Sequence, residues 1–240
     1  VIIRNARGTG ARVKVDFFAN EIRTHKASVI AVLEHKQSSA NINDFSRKIN
    51  MHGFLHADPT NDHIWVFLHR NLSMDLVQAS NQFITTRVGY GNMSFFISFV
   101  YGSCDAHQRL SLWSDLNSFD LGNLPWIVEG DSNVVASPEE RKGRGPFQRN
   151  ASLDFIRFRV GKGLSDLEFS RDRFTWCNNQ GGRNRSWSRL DRCLANMQAI
   201  STFSDTNVRH LARGLSDHSS ILVSLSSGHD QSESFHYHHH

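Results

Sequence analysis

The chain is poor in cysteine and proline and has no long apolar run. Its 240 residues include four prolines and three cysteines, which are Cys104, Cys177 and Cys193. The cysteines lack the spacing of a metal site, and an odd number without a secretory signal predicts free thiols in an intracellular protein. No apolar stretch reaches the roughly 18 residues that a membrane-spanning helix needs. We therefore expect no membrane partner.

Internal repeats, Pro- and Ser-rich linkers and low-complexity blocks are also missing from the sequence. We predict a single domain over residues 1–227, long enough to bury one large core, and expect it to be a monomer. Residues 228–240 are polar and end in three consecutive histidines, so we predict a disordered tail that closes in a purification tag. The chain opens at Val1 inside a strand-like run, which is typical of an excised domain.

The net charge is only +4, which permits a nucleic-acid partner without requiring one. Basic residues nevertheless concentrate in two segments, 141–149 and 183–192. Their members are Arg141, Lys142, Arg144 and Arg149 in the first segment, and Arg183, Arg185, Arg189 and Arg192 in the second. Such runs are equally typical of a solvated surface, so charge alone leaves both interpretations open.

Short apolar runs rich in β-branched and aromatic residues predict strands, at 28–34, 63–69, 93–101, 126–128, 173–177 and 220–225. Three stretches between them have helical spacing, carried by Val13, Phe17 and Ile22, by Leu112, Trp113 and Leu116, and by Leu153, Ile156 and Val160. Strands outnumber helices and do not alternate strictly with them. The pattern therefore favours an α/β fold of two packed sheets flanked by helices.

Acidic and amide side chains stand where the predicted strands begin or end. Glu34 and Tyr101 end two of the runs, and Asp131 follows a third. Asp217 and His218 directly precede the last run. Because polar groups at strand ends can meet at one rim of a sheet, a rigid scaffold could hold them together as a catalytic set.

Cleavage of a phosphodiester needs an activated water, neutralisation of the phosphate charge and help for the leaving oxygen. Hard cations such as Mg²⁺ do much of this work and prefer carboxylate oxygens. The strand ends supply carboxylates from Glu34, Asp131 and Asp217, and neutral donors from Asn5, Asn133 and Tyr101. Each residue alone is more often a turn or cap residue, but the set predicts a metal-dependent phosphodiesterase.

The order of these segments resembles the endonuclease/exonuclease/phosphatase superfamily, the DNase I-like proteins. The motifs are Asn5-Ala6-Arg7-Gly8, Val32-Leu33-Glu34-His35-Lys36, Val100-Tyr101-Gly102, Glu129-Gly130-Asp131-Ser132-Asn133, Ser188-Arg189-Leu190-Asp191-Arg192 and Ser216-Asp217-His218. Within the superfamily, the closest likeness is to the endonuclease domain of plant LINE-type non-LTR retrotransposons, through Ser137-Pro138-Glu139-Glu140-Arg141 and Phe174-Thr175-Trp176-Cys177-Asn178. The resemblance spans residues 3–223 and implies a four-layer α/β/β/α sandwich of mostly antiparallel sheets.

The resemblance also implies catalytic roles for five residues. Asp131 would activate or align the attacking water as a general base. Asn133 and Tyr101 would hold the phosphate oxygens and Asp131 in place. His218 would contact the phosphate, and Asp191 would pair with His218 to fix its orientation and favour its protonated form.

Metal and substrate contacts follow from the same resemblance. Glu34 would bind Mg²⁺, or Mn²⁺ in its place, with Asn5 close to it and Asp217 contributing. Thr175 would contact DNA or phosphate. A polar segment at 178–186 carries a Gly-Gly turn and predicts a hairpin whose Arg183 and Arg185 reach the minor groove of double-stranded DNA; a solvated loop is the alternative. Arg144 would contact the phosphate backbone.

Three departures from the family pattern bear on the fold and the site. Arg4 stands where the family has Trp, which questions the packing of the first strand. Ser132 replaces a Phe, and Glu129 replaces a small or apolar residue. Because strand alternation puts Glu129 and Asp131 on one face, the Glu129 carboxylate could perturb the ionisation of Asp131.

The resemblance thus predicts a magnesium-dependent endonuclease that nicks DNA for target-primed integration. It implies a reverse transcriptase on the same native polypeptide, and the substrate implies action in the nucleus. One alternative is a same-fold enzyme for another phosphate ester, such as abasic DNA, RNA or a phosphoinositide. The other is a non-catalytic copy that binds nucleic acid or protein.

Overall fold

A computed structural model of the chain describes residues 1–57 and 59–226, so the predicted tail at 228–240 lies outside the described residues. The helices are α1 Arg12–His25, α2 Ile42–Lys48, α3 Arg109–Ser118, α4 Arg149–Gly161 and α5 Met197–Thr202. The strands are β1 Ile2–Asn5, β2 Val29–Leu33, β3 Gly53–Ala57, β4 Asn61–Leu68, β5 Ser73–Ser80, β6 Phe83–Tyr90, β7 Met93–Tyr101, β8 Trp126–Asp131, β9 Arg141–Lys142, β10 Ser165–Asp166, β11 Phe169–Ser170, β12 Trp176–Cys177, β13 Trp187–Ser188, β14 Asp191–Ala195, β15 Asn207–His210 and β16 Ile221–Ser224.

These strands form two large sheets and one small sheet. The seven-stranded sheet has the order β11-β15-β16-β1-β2-β4-β3, and the six-stranded sheet has the order β10-β14-β8-β7-β6-β5. Strands β12, β13 and β9 form a separate three-stranded sheet. Neighbouring strands are antiparallel except in the pairs β1–β2, β7–β8 and β11–β15. The mostly antiparallel arrangement predicted from the motifs is confirmed.

Apolar side chains divide the molecule into four layers. The inner faces of the two large sheets share one core, with residues such as Val66 and Phe99. Helices α1 and α2 cover the outer face of the seven-stranded sheet, where Phe18 and Trp65 are buried. Helices α3 and α4 cover the outer face of the six-stranded sheet around Phe155. The predicted α/β/β/α sandwich is therefore confirmed, because each sheet buries both of its faces.

The sequence predicted the positions of strands more accurately than it predicted which face of a helix is buried. The run at 93–101 coincides with β7, which reads as continuously apolar because both of its faces are buried. In α4, however, the predicted apolar face was wrong: Val160 is 75% exposed and Leu153 is exposed, whereas Phe155 and Phe158 are buried. The run at 173–177 contributes only the two residues of β12.

Arg4, which stands at the position of a family Trp, is accommodated inside the molecule. Its guanidinium donates to Ser220 Oγ at 2.6 Å, to Glu21 Oε1 at 3.5 Å and to the carbonyl of Arg213. The same group lies 4.5 Å from the centre of the Phe17 ring. Because this buried cation has both an anion and an aromatic face beside it, the first strand packs without the Trp. Among the described helices, none has the length and apolarity needed to cross a membrane.

Candidate active site

The sheet register brings the predicted catalytic residues to one rim of the sandwich. Tyr101 at the end of β7 is the parallel partner of Asp131 at the end of β8. Asp131 is also the antiparallel partner of Asp191 at the start of β14. In the other sheet, Asn5 ends β1, and Glu34 directly follows the parallel strand β2. Residues from both sheets therefore meet at the same edge, as the strand-end pattern predicted.

Asp131 is the centre of a buried hydrogen-bond cluster. Its Oδ2 accepts from Asn5 Nδ2 at 3.0 Å and from Asn133 Nδ2 at 3.3 Å, and its Oδ1 accepts from the Asn133 backbone N–H at 2.9 Å. The Nδ1 of His218 lies 2.9 Å from Asp191 Oδ2, and its Nε2 lies 3.7 Å from Asp131 Oδ2. These contacts fix the carboxylate of Asp131 and place the imidazole between two aspartates.

The pKa values of His218 and Asp131 are shifted so that both groups are charged at neutral pH. Burial opposes the charged form of His218, but the carboxylates of Asp191 and Asp131 outweigh it and raise the pKa of His218 to about 9. Burial raises the pKa of Asp131 to about 6, although the nearby His218 charge acts in the opposite direction. At neutral pH the imidazolium and the carboxylate of Asp131 therefore coexist at short distance, as a general base and a charged phosphate contact require.

The second carboxylate group of the rim consists of Glu34 and Asp217, which lie on either side of Arg7. Arg7 Nη1 lies 3.0 Å from Glu34 Oε2, and Arg7 Nε lies 3.3 Å from Asp217 Oδ1. Lys36 Nζ lies 3.0 Å from Glu34 Oε1. Asp217 also accepts a hydrogen bond from Trp176 Nε1 at 3.0 Å. Both carboxylates are thus held at the mouth of the site by cationic or polar neighbours.

Two sets of side chains could hold a divalent cation. In the first, ligand atoms of Asp131, Asp191 and His218 lie within 4.8 Å of one another. In that set, His218 Nδ1 and Asp191 Oδ2 already pair with each other at 2.9 Å. In the second, the buried Oε2 of Glu34 has Arg7 Nη1 at 3.0 Å as an ion-pair partner but accepts no hydrogen bond from the described residues, and Asp217 lies across Arg7 from it. Hard oxygen donors of this kind fit Mg²⁺ or Mn²⁺.

Asn5, predicted beside the metal, makes its contacts with Asp131 and with the Arg7 backbone N–H, which donates to Asn5 Oδ1 at 3.2 Å. Tyr101 is half-buried at the rim. Burial and the carboxylates of Glu34 and Asp131 raise the pKa of the Tyr101 phenol, which therefore stays protonated at neutral pH. Tyr101 can consequently act as a hydrogen-bond donor.

Thr175, predicted to contact DNA or phosphate, lies beneath Asp191 in the structure. Its side chain is fully buried, and its hydroxyl accepts from the backbone N–H groups of Leu190 and Asp191, each at 3.0 Å. Both of these bonds lie within the fold, and a contact of Thr175 with DNA or phosphate stays a prediction. Thr175 instead positions the start of β14, and with it the Asp191 carboxylate.

The predicted hairpin is present as the connection between β12 and β13. Arg183 and Arg185 are exposed on it, and the Arg185 Nε donates to the carbonyl of Gln180 at 2.8 Å. Trp176 on β12 forms an isolated bridge with His218, so the hairpin is joined to the catalytic cluster. Arg144, predicted to contact phosphate, is exposed in the loop after β9. All three arginines are exposed to solvent.

Strained backbone conformations concentrate around the same rim. Arg7, Glu34, Lys36 and Asn133 all have positive φ angles, between 48° and 52°. Residues with a side chain rarely adopt this left-handed conformation, and such strain collects at functional sites. Gly130, before Asp131, has a φ of +133°, and a Cβ there would lie 2.2 Å from the carbonyl oxygen of Val100. The rim is thus built at a local cost in backbone free energy.

Three residues of the site had no role predicted from the sequence, although their motifs were recognised. Arg7 and Lys36 contact Glu34, and nothing in their sequence neighbourhood signals this pairing. Glu140 lies in a buried charge network, with salt bridges from Arg189 at 3.0 Å and from Arg192. Its place in the segment 137–141 was the available signal, since that segment had marked the plant LINE likeness.

The sequence matches no protein-family model and no curated protein. Solved structures match over almost the whole chain. The endonuclease domain of TRAS1, a telomere-specific non-LTR retrotransposon, is 14% identical with a TM-score of 0.67, and the match covers 95% of this chain and 98% of that one. An AP endonuclease from Archaeoglobus fulgidus is also 14% identical, with a TM-score of 0.69 over 94% and 98% of the two chains.

The D. rerio TDP2 structure complexed with a single-strand DNA product is 13% identical, with a TM-score of 0.66 over 94% and 98% of the two chains. These likenesses define the class of protein by its architecture: the chain has the DNase I-like fold that its motifs predicted. The finer likeness to plant LINE endonucleases stays a prediction.

Proposed function

We propose that this chain is a metal-dependent endonuclease that nicks double-stranded DNA. The observation that carries the proposal is the buried cluster at the rim, in which Asp131 is held by Asn5 and Asn133 beside the His218–Asp191 pair. A carboxylate base next to an imidazolium is suited to hydrolysis of a phosphate ester. The retrotransposon role, a reverse transcriptase on the native polypeptide and action in the nucleus belong to the same proposal, supported by the similarity to the TRAS1 domain.

In this proposal each side chain acts through an atom that its contacts leave available. Asp131 accepts the proton of the attacking water, since its carboxylate is ionised above pH 6. His218 directs its Nε2, which has no hydrogen-bond partner among the described residues, towards a phosphate oxygen. Tyr101 donates to another phosphate oxygen. Asn133, whose Nδ2 already donates to the Gly102 carbonyl at 2.7 Å and to Asp131 Oδ2 at 3.3 Å, holds Asp131 in place. Asp191 keeps the imidazole protonated and oriented.

Glu34 and Asp217 would hold the cation, with Mg²⁺ as the expected ion and Mn²⁺ as a substitute. A divalent cation at this position supplies Lewis-acid neutralisation of the phosphate and its leaving oxygen. Asn5 contributes by orienting Asp131, and its metal contact stays a proposal. The exposed Arg144, Arg183 and Arg185 would follow the DNA backbone and the groove beside the rim.

A second candidate function is cleavage at abasic DNA, which a cavity beside Asn133 favours. The cavity has a volume of about 310 Å³ and is lined by residues that include Cys104, Ser188 and Leu190. A sugar without a base could leave the helix and enter such a space beside Asn133. The similarity to an AP endonuclease points to the same substrate.

Incubation of the chain with supercoiled plasmid and Mg²⁺ tests the proposal. We expect open circles, no reaction in EDTA, and a loss of roughly 10²–10⁴-fold in Asp131→Asn because the general base is removed. Asp205→Asn is the matched control, since Asp205 is exposed just before β15, away from the rim. Nicking that persists in Asp131→Asn would refute the site assignment. Faster cutting of an abasic duplex than of the plasmid would favour the second candidate.

A further inference from the structure

Arg7 occupies the space between the two carboxylates that are proposed to bind the metal. Its Nη1 lies 3.0 Å from one Glu34 oxygen and 3.2 Å from the other, while its Nε lies 3.3 Å from Asp217. We infer that Arg7 and the divalent cation compete for Glu34 and Asp217, so that Arg7 sets the metal affinity of the site. This inference rests on the proposed function, because it takes Glu34 as the metal ligand.

The competition follows from the distances and charges. Mg²⁺ binds oxygen ligands at about 2.0–2.1 Å, so it needs the same carboxylate oxygens that the guanidinium contacts. A guanidinium and a divalent cation cannot both lie against these oxygens, because like charges this close repel strongly in a partly buried site. Binding of the metal therefore requires the Arg7 side chain to leave.

The main chain of Arg7 is fixed, whereas its side chain can move. Lys14 Nζ donates to the carbonyls of Ala6, Arg7 and Gly8, at 2.9, 3.1 and 2.9 Å. The Arg7 backbone N–H donates to Asn5, and its φ of 48° holds the turn. The guanidinium side chain is 34% exposed, so it can turn into the solvent at the mouth while its backbone stays in place.

Lys36 provides an internal comparison. It also neutralises Glu34, with its Nζ 3.0 Å from Oε1, but its side chain is 59% exposed and, within residues 1–57 and 59–226, it pairs with Glu34 alone. Arg7 contacts both carboxylates from a more buried position. Removing either charge changes the net charge beside Glu34 equally, yet only Arg7 fills the space between the ligands. Lys36→Gln is therefore the matched control for Arg7→Gln.

A guanidinium displaced by the metal would point into the solvent at the mouth of the site, the side from which the proposed DNA phosphate would approach. A phosphate that pairs with Arg7 stabilises the displaced position, and a metal on Glu34 and Asp217 frees Arg7 for the phosphate. Metal and DNA therefore strengthen each other's binding, and this coupling must be equal in both directions. In the absence of DNA, Arg7 keeps the metal affinity low.

Mn²⁺ binding to the whole chain without DNA, measured by titration calorimetry at constant ionic strength, tests the inference. We expect Arg7→Gln to bind Mn²⁺ roughly tenfold or more tightly than the wild type, and Lys36→Gln to differ by less than about threefold. Arg7→Lys keeps the charge without the planar fork and should give an intermediate affinity. Glu34→Gln should lose the binding.

Equal or weaker Mn²⁺ binding by Arg7→Gln, in a protein whose circular dichroism spectrum is unchanged, would overturn the competition. Undiminished binding by Glu34→Gln would overturn it as well, because the metal would then lie elsewhere. The readout also separates the two proposals. Tighter Mn²⁺ binding by Arg7→Gln in a chain that never nicks DNA would refute the proposed function alone, and nicking without that affinity change would refute this inference alone.

Discussion

Replacing Glu140 by Gln should strongly destabilise the fold, because Glu140 is the buried anion that two arginines share. Its Oε1 accepts from Arg192 Nη1 at 2.9 Å and from Arg189 Nη1 at 3.0 Å, and its Oε2 accepts from Arg192 Nη2. The Ala136 backbone N–H adds a bond of 2.6 Å. Asp166 contacts the same two arginines from the other side, at 2.6 and 2.9 Å. The network ties the turn before β9 to β14, which carries Asp191.

The magnitude follows from the ionisation of Glu140. Burial opposes its charged form, but the hydrogen bonds and charge of Arg192 outweigh it and lower the pKa of Glu140 from 4.5 to about 2. At 1.36 kcal/mol per pKa unit, that difference corresponds to about 3 kcal/mol of free energy of unfolding. Gln keeps the shape but not the charge, and it leaves two buried guanidinium groups with Asp166 as their anion. We therefore expect Glu140→Gln to cost about 3 kcal/mol or more at pH 7.

The pH dependence gives the sharper test. A depressed carboxyl pKa stabilises the fold fully above pH 4.5, and that stabilisation is lost as the pH falls through about 2. Urea unfolding followed by tryptophan fluorescence should show the full difference between wild type and Glu140→Gln at pH 7 and a smaller one near pH 3. Glu139→Gln, an exposed change on the same turn, should leave stability unchanged. A loss below about 1 kcal/mol at pH 7, or one independent of pH, would refute the reasoning.

Three further perturbations follow from the site and the core. Asp191→Asn removes the carboxylate that most favours the imidazolium, so NMR titration should place the pKa of His218 roughly one unit or more below about 9; an unchanged pKa would deny the pairing. The double variant Arg183→Ala, Arg185→Ala should lose about two phosphate contacts. In fluorescence anisotropy, the slope of log affinity for duplex DNA against log salt concentration should therefore be smaller by about two; a slope equal to that of the wild type would mean that the hairpin does not contact phosphate. Burial raises the pKa of Glu129 from 4.5 to about 7, so the free energy of unfolding of the wild type should fall as the pH rises from 4.5 to 7. Glu129→Gln should remove that fall in urea titrations, and an identical pH profile in the variant would contradict the reasoning.

The positions of the site residues at strand ends were predictable, because the periodicity of apolar residues shows where each buried strand ends. A strand buried on both faces, such as β7, reads as a continuous apolar run, and the first polar residue after it marks the rim. Tyr101, Asp131 and Glu34 were found in this way. The weakly apolar β5 was missed, because it lies at the edge of its sheet and leaves Leu76 and Val77 partly exposed.

The pairings across the site were not predictable, because they join distant parts of the chain. Arg7 and Asp217 are separated by 210 positions, and Glu140 and Arg192 by 52. A single sequence carries no signal of such proximity. Similarly, the helical spacing of Leu153 gave no means of choosing the buried face of α4, because apolar residues occur on both sides of that helix.

The effect of Glu129 on Asp131 depends more on how deep each residue lies between the sheets than on which face of the strand it occupies. Glu129 and Asp131 alternate onto the same face of β8, but Glu129 is paired with Cys193, deeper between the sheets, whereas Asp131 is paired with Asp191 at the rim. Both carboxylate oxygens of Glu129 lack a hydrogen-bond partner among the described residues. The neighbouring charges that act most on Asp131 are those of His218 and Asp191. Glu129 therefore lowers stability near neutral pH, while the pKa of Asp131 is set first by its own burial and then by the rim residues around it.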